Sequence, residues 1–343
     1  MQLVNTREGL SRQGVLTEVA PGLSPISGEY DIIHIFNTVR IHESYLQFRA
    51  ARRSKVPVVC TPIWHSVSHY KKFLQHRLKL PIVSVNIYAG LREAFYARRS
   101  GIPIYWPAVV AYGHLQRRLV TLVDAVLPNS RAELRLMERD VKASPKRAFI
   151  VPNGTDVACK CAVELDRNLV LCAGRIEPLK NQISVIRAFK SLGRRDLNLV
   201  FYGKATASHR SYFDAFRREL VPGWIEYGDQ VSHNDLMSRY QSAAVVVLAS
   251  FYETTGLAVL EGIVNGAKAL ITDNDCTREY FEGYASFCDP SSIGSIRSGL
   301  SEALARPAHD PAPLVRKYSW NEAARITRAA YENVIATRSV LAN

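Results

Sequence analysis

The chain lacks any apolar run long enough to cross a membrane. No stretch of eighteen apolar residues occurs in its 343 residues, and its first residues, MQLVNTREGLSRQG, contain no apolar signal segment. We therefore expect a cytoplasmic protein. With 47% hydrophobic residues, the chain is long enough to form two domains, each with its own core.

Cysteines are few, and their spacing does not fit a metal site. Only Cys159 and Cys161 are close together, and neither a second pair nor nearby histidines accompany them. We expect neither a metal nor another cofactor. The other four cysteines lie in or beside apolar runs, which predicts buried thiols at Cys60, Cys172, Cys276 and Cys288.

Acidic residues are scarce in the first half of the chain. Residues 1–157 hold 22 Lys and Arg against 11 Asp and Glu, whereas residues 158–343 hold 22 against 20. A basic half indicates an anionic partner, such as membrane lipid, a phosphorylated carrier or an acidic polysaccharide. Nucleic acid is not expected, because no recognised DNA- or RNA-binding motif accompanies the charge. A generally basic surface remains an alternative.

One basic segment, Ser68 to Leu80, combines lysine and arginine with aromatic residues and leucine. On a helix, one apolar-to-interfacial stripe would be formed by Tyr70, Phe73, Leu74, Arg77 and Leu78. This composition suits docking on an anionic bilayer. It suits equally an ordinary helix that packs on a sheet and has a solvated basic face.

The stretch from Ala243 to Asp273 organises the second half of the chain. Ala243 to Leu248 is a continuous apolar run typical of a buried parallel strand, and Gly256 to Val264 has the apolar periodicity of a helix. Lys268 to Thr272 is a second buried strand. The turn before the helix, which contains Glu253, Thr254, Thr255 and Gly256, therefore occupies the place where open α/β sheets bind ligands.

Two carboxylates belong to this turn and helix. Glu261 follows Glu253 by eight residues, so two helical turns bring it back toward the face above the turn. Carboxylates accept hydrogen bonds from sugar hydroxyls, and the backbone amides of Gly256 and Leu257 favour phosphate oxygens. Either glutamate alone could be a solvated residue, but Glu261 interrupts the apolar helix LAVLEGIV, where an unpaired charge is costly.

A second polar cluster follows the strand NLVLCAG. Gly174, Arg175 and Lys180 lie between this strand and the helix Gln182 to Leu192. Arg175 can bind two phosphate oxygens at once and Lys180 adds a point charge, so the cluster suits a diphosphate. Gly203, after the next strand, would flank a nucleotide.

The first half alternates strands and helices, which predicts a parallel, doubly wound sheet. Strands are predicted at Ile32–Asn37, Val56–Thr61, Ile82–Asn86, Ala125–Leu127 and Phe149–Val151, with a helix at His42–Ser54. Near the start, Asn5–Gly14 could be a helix and Val15–Pro21 a strand. His65 comes just after a predicted strand, so it either contacts a ligand or closes a loop.

Four segments together resemble the retaining glycosyltransferases of family 4, with the GT-B fold. They are FYETTGLAVLEGIVNGAKALITD, CAGRIEPLKNQISVIRAF, VPNGTD and DIIHIFN. The resemblance implies two Rossmann-like domains that face a cleft: an acceptor domain at 1–157, apparently abbreviated, and a nucleotide-sugar domain at 158–319. It also implies that the terminal helix, 320–343, packs back on the first domain.

The resemblance assigns roles to individual residues. It places Glu253, Arg175, Lys180 and His65 in catalysis, and Asn153 beside the hinge. The donor would be held by Gly174, Gly203, Thr255, Gly256, Leu257 and Glu261, with Glu261 on the ribose hydroxyls. The implied partners are a nucleotide-sugar donor and a saccharide or lipid-linked acceptor. The basic first half adds an anionic membrane surface, on the cytoplasmic side, as a further expected partner.

The implied reaction is metal-independent transfer with retention, in cell-surface polysaccharide or glycolipid synthesis. Two alternatives remain at this point. One is a nucleotide-sugar epimerase with the same fold, which would consume the donor without an acceptor. The other is a non-catalytic protein that binds a nucleotide sugar or anionic lipid.

Overall fold

A computed structural model describes residues 2–20, 29–78, 85–99, 101, 104–155, 168–307 and 309–342. The chain divides into two units, Met1–Asn153 with Trp320–Asn343, and Gly154–Ser319. Within the described ranges, no helix is both long and apolar enough to span a bilayer.

The first unit contains a parallel sheet of three described strands in the order β1-β2-β3. These strands are β1 (Ile33–Phe36), β2 (Val58–Thr61) and β3 (Ala125–Val126). The central strand β2 is buried along its whole length, as expected for a strand covered on both faces. Helix α1 comes before β1, helices α2 to α6 lie between the strands, and α7 follows β3. These helices are α1 (Gln2–Arg12), α2 (Ile41–Arg53), α3 (Val67–Leu78), α4 (Val85–Arg99), α5 (Trp106–Val110), α6 (Tyr112–Leu122) and α7 (Arg131–Val141).

Three predicted strands of this unit are wrong, and the one at Phe149–Val151 is replaced by a single bridge at the residue before it. Ile82 to Ser84 lie outside the described residues, and Val85 and Asn86 begin helix α4. The apolar run there continues into a segment with helical periodicity. The pattern of a few apolar residues alone therefore does not distinguish a strand from a helix. Residues 15–20 form no strand, and Leu16 is fully exposed, with no neighbouring strand to bury it. Ala148 forms only a single bridge, to Val126.

The basic segment that begins at Ser68 forms a helix whose described apolar residues pack inside the first unit. Tyr70, Phe73 and Leu74 are all buried in helix α3, which packs against α4. The predicted stripe is therefore not available to a bilayer over these residues. Leu80 and the side chains of residues 76–78 lie outside the described part.

The second unit is a six-stranded parallel sheet in the order β6-β5-β4-β7-β8-β9. Its strands are β4 (Leu169–Ala173), β5 (Asn198–Tyr202), β6 (Ile225–Tyr227), β7 (Val245–Leu248), β8 (Lys268–Thr272) and β9 (Ser286–Cys288). Its helices are α8 (Gln182–Leu192), α9 (Arg210–Glu219), α10 (His233–Ser242), α11 (Leu257–Val264), α12 (Asp275–Phe281), α13 (Ile293–Ala305) and α14 (Ala312–Lys317). Short 3-10 turns occur at Pro178–Lys180 and Ala207–His209.

The strand order reverses between β4 and β7. The chain moves outward from β4 to β6, then returns so that β7 pairs with β4, with Val170 beside Val245. Two connections therefore leave in opposite directions from neighbouring strand ends, which opens a crevice at the carboxyl edge of the sheet. This crevice lies between the two polar clusters that the sequence predicts.

Alternating residues of the central strands fill two cores. Leu171 and Val246 belong to one core, and Cys172 and Val247 belong to the other on the opposite face. This two-sided burial explains why these strands are continuous apolar runs. All four cysteines that were predicted to be buried are buried free thiols, whereas Cys159 and Cys161 lie outside the described residues.

The final helix, α15 (Trp320–Ala342), packs against α1 within the first unit. The contact is close at Gly9, where an added Cβ would lie 2.7 Å from Cβ of Ala324 and 3.1 Å from the Trp320 carbonyl oxygen. Small residues at this crossing allow the two helices to approach. The first and last described segments of the chain are therefore held together.

Helix α11 depends on close contact with β7. A Cβ on Gly262 would lie 2.6 Å from Val246 Cγ2, so Gly262→Val should lower the free energy of unfolding by at least about 2 kcal/mol through overpacking. Gly294→Val is the matched control, because the nearest atom to its Cβ would be 3.8 Å away. Urea unfolding measures both, and equal stability of the two variants would contradict this packing.

Candidate active site

The crevice between β4 and β7 is lined by the loops that follow these strands. Gly174 and Arg175 come directly after β4, and the segment up to Gly256 comes after β7. Because the strands are parallel neighbours, both loops emerge at the same edge of the sheet. The structure therefore brings together the two polar clusters of the second unit.

An ion pair joins the two loops. Lys180 Nζ donates to Glu253 Oε1 at 2.5 Å, and both side chains are largely buried. A backbone bond supports the pair, since the amide of Phe251 donates to the Leu179 carbonyl oxygen at 2.9 Å. The charge of each partner is thus balanced by the other at the edge of the crevice.

Arg175 is the exposed cation of the site. Its side chain is 65% exposed, and Nη2 lies 3.0 Å from Oε1 of the buried Glu177. That oxygen has no hydrogen-bond partner, so the contact is an ion pair without good hydrogen-bond geometry. Such a weakly oriented guanidinium can turn toward an anion without breaking a strong bond.

Gly256 forms the turn that starts α11. Its backbone is left-handed (φ 74°, ψ 53°), and an added Cβ would lie 2.6 Å from Ile271 Cδ1. No side chain caps the helix, and within the described residues the amides of Gly256 and Leu257 meet no protein acceptor. These donors lie at the positive end of the helix dipole, an arrangement that binds phosphate. Thr255, just before the turn, is buried.

The loops after β4 and β5 touch through two glycines. A Cβ on Gly203 would lie 2.1 Å from the Gly174 carbonyl oxygen, and the φ angles are +145° and +151°. Both values are rare for residues with side chains. The floor of the crevice beside Arg175 is therefore built of backbone.

Glu261 is buried in α11, close to Tyr240 of α10. Burial raises the pKa of Glu261 to about 7, and Tyr240 opposes this with a smaller lowering effect. The Tyr240 hydroxyl lies outside hydrogen-bond geometry. The carboxyl group therefore changes charge near neutral pH, and ligand hydroxyls that donate to it would favour the ionised form.

The remaining predicted residues belong to the first unit. His65 is half-buried in the loop that follows β2, four residues beyond Thr61. Asn153 is buried at the last residue before the second unit. Among the residues that the structure describes, no group of three or more His, Cys, Asp or Glu could hold a metal ion.

Two asparagines position the loops and were missed in the sequence. Asn181 adopts a left-handed conformation (φ 59°) at the start of α8, and Nδ2 donates to the carbonyl oxygens of Ala249 and Pro290. Asn274 caps α12 and donates to the Glu253 carbonyl oxygen at 3.3 Å. An asparagine just before a helix is a capping signal that can be recognised in the sequence. The long-range partners of these two asparagines cannot be recognised there.

Residues 160–326, which include most of the second unit, match the family model described as glycosyl transferases group 1. A D-inositol 3-phosphate glycosyltransferase from Kineococcus radiotolerans is 24% identical over 262 residues. That match covers 65% of this chain and spans 60% of the relative's length. The chain therefore matches less than two thirds of that relative.

Solved structures share the fold. An α,α-trehalose 6-phosphate synthase from Burkholderia multivorans has a TM-score of 0.65 at 14% identity, over 100% of this chain and 76% of its own. HepE from Anabaena, in complex with UDP and glucose, has a TM-score of 0.59 at 12% identity over 91% and 77%. The predicted GT-B fold and glycosyltransferase group are confirmed, while membership of family 4 stays a prediction.

Protonation of Glu261 should make stability depend on pH. The pKa rises from 4.5 in the unfolded chain to about 7 in the folded protein, so the folded state binds the extra proton between these values. The free energy of unfolding should therefore increase by about 2 to 3 kcal/mol as pH falls from about 8 to about 5. Glu261→Gln should lack this increase, and a variant with the wild-type pH profile would contradict the assignment.

Proposed function

We propose that this protein is a glycosyltransferase that moves a sugar from a nucleoside-diphosphate donor to a hydroxyl group of a saccharide or lipid-linked acceptor. The observation that carries the proposal is the Lys180–Glu253 pair at the strand-order reversal. It places a cation and a carboxylate next to the amides at the start of α11, and these are the groups that a molecule with both phosphates and hydroxyls needs. The match of residues 160–326 to the family model supports it.

The diphosphate would lie across the loop after β4 and the start of α11. Arg175 leaves Glu177 and binds two phosphate oxygens, while the amides of Gly256 and Leu257 donate to the others. Lys180 shares its charge between Glu253 and the ligand. The backbone floor at Gly174 and Gly203 leaves room for this approach.

Glu253 would hold the sugar. As Lys180 moves toward phosphate, Glu253 accepts hydrogen bonds from donor-sugar hydroxyls and stabilises positive charge that develops at the ring. Glu261 would accept from the ribose hydroxyls in its ionised form. Because a carboxylate paired with a cation is a weak nucleophile, the ion pair with Lys180 favours a role for Glu253 in binding the sugar over a role as nucleophile.

The proposed transfer retains the configuration at the anomeric carbon. The bond from this carbon to the donor phosphate oxygen breaks, and its electron pair stays on the diphosphate. The acceptor oxygen forms the new bond on the same face and gives its proton to the departing phosphate. Arg175, Lys180 and the helix amides stabilise the leaving group, so we propose that no divalent metal is required. Isolation of a covalent sugar adduct would contradict this route.

HepE was solved with UDP and glucose, so UDP-sugars are the first donors to test. His65 and Asn153 remain proposed contacts to sugar or acceptor. A role in polysaccharide or glycolipid synthesis and a cytoplasmic location stay predictions of the sequence.

The test is release of nucleoside diphosphate from UDP-, GDP- and ADP-sugars in the presence of EDTA and candidate acceptors. Wild type should release it with one donor. Arg175→Ala and Glu253→Gln should each lower kcat by about 100-fold to 1000-fold, the effect of removing one group that stabilises transition-state charge.

Arg187→Ala is the matched control. Arg187 is also an exposed arginine paired with a glutamate, Glu219, but lies on α8, so its kcat should stay at the wild-type value. Donor consumption without any acceptor would favour an epimerase. Donor binding without release under any condition would favour a non-catalytic binding protein.

A further inference from the structure

An apolar surface remains exposed on the first unit. Ile87, Leu91 and Phe95, spaced four residues apart on α4, are 59%, 58% and 60% exposed. Spacing of four places them along one face of the helix. Soluble proteins rarely leave a contiguous apolar face of this kind without a partner.

Helix α5 extends this face. Gly90 lies against α5 so closely that an added Cβ would be 2.2 Å from the Val109 carbonyl oxygen. The contact fixes α5 beside α4, with Trp106 66% and Val110 81% exposed. We call these five exposed residues of α4 and α5, together with the partly exposed Tyr88, the apolar face.

The segment that contains the apolar face is strongly basic. Residues 67–123 contain nine lysines and arginines but a single acidic residue, Glu93. Glu93 is buried and pairs with Arg92 at 3.2 Å, so it presents no negative charge to the surface. The neighbouring helices α3, α4 and α6 carry exposed basic pairs, at Lys71-Lys72, Arg98-Arg99 and Arg117-Arg118 respectively.

We propose that the apolar face is the surface by which this protein docks on an anionic lipid bilayer. Apolar and aromatic side chains enter the headgroup region, and the surrounding cations meet anionic headgroups. Trp106 and Tyr88 suit this boundary because their rings are apolar and their polar tips can stay hydrated. This surface differs from the predicted stripe of α3, which is buried, and its role does not depend on the proposed transfer reaction.

A bilayer fits this face better than a protein partner does. A self-complementary dimer would bring the arginine pairs of two copies together, with no exposed acid between residues 67 and 123 to balance them. A nucleic acid would use the cations but would leave Leu91 and Phe95 in water. Only a bilayer uses both the charge and the apolar side chains.

Tryptophan fluorescence tests the surface directly. Of the four tryptophans, Trp64, Trp224 and Trp320 are buried and only Trp106 is exposed. Vesicles of equal parts phosphatidylglycerol and phosphatidylcholine with brominated acyl chains should quench the emission of the full chain. Trp106→Phe should remove the quenching. No quenching in the wild type, or unchanged quenching in this variant, would overturn the proposal.

Co-sedimentation with the same vesicles measures the charges. Arg98→Gln with Arg99→Gln should weaken binding by about 30-fold, the loss of two cations at an anionic surface. Arg217→Gln with Arg218→Gln is the matched control, because this pair also ends an exposed helix, α9 of the second unit. Equal weakening by both pairs would overturn the proposal.

The apolar contribution has its own pair of variants. Leu91→Gln with Phe95→Gln should weaken vesicle binding by at least about tenfold, whereas Ile293→Gln, at an exposed apolar residue of α13, should not. All these side chains are exposed, so melting temperatures should stay unchanged. If the protein does not bind vesicles but forms a dimer that Leu91→Gln dissociates, the apolar face belongs to a second copy. If it does not bind vesicles but binds RNA in a salt-sensitive way, the face belongs to nucleic acid.

Discussion

The ion pair between Lys180 and Glu253 is the interaction on which the candidate site depends. It joins the loops of the two strands at which the strand order reverses, and it balances the charges of both partners. A ligand with phosphates and hydroxyls offers each partner a replacement. The site is therefore preorganised, because the groups that we propose to bind the donor are already held at its edge.

The two units divide the chemistry of the chain. The second unit has nearly balanced charge, a continuous two-sided core and the polar crevice. The first unit carries most of the excess positive charge and an apolar face that no described part of the chain covers. This division fits an enzyme that binds a small soluble donor with one unit and meets an anionic surface with the other.

The sequence predicted the second unit well because its central strands are continuous apolar runs. The strand Lys268–Thr272 and the helix Gln182–Leu192 match the structure, and helix α11 begins one residue after Gly256. The first unit was harder, since the apolar run before α4 has no period that separates strand from helix. Long-range partners, such as those of Asn181, and the exposure of α4 depend on packing that no local pattern encodes.

Calorimetric titration of Glu253→Gln and Lys180→Met with the donor and with its nucleoside diphosphate alone tests the central claim most directly. The account assigns Lys180 to the phosphates and Glu253 to the sugar. Glu253→Gln should therefore bind the nucleoside diphosphate at least as tightly as wild type does, because Lys180 is released from its ion pair. The same variant should lose the additional affinity that the sugar gives the complete donor. Lys180→Met should weaken both ligands. Equal weakening of both ligands by Glu253→Gln, with no effect of Lys180→Met, would contradict the account.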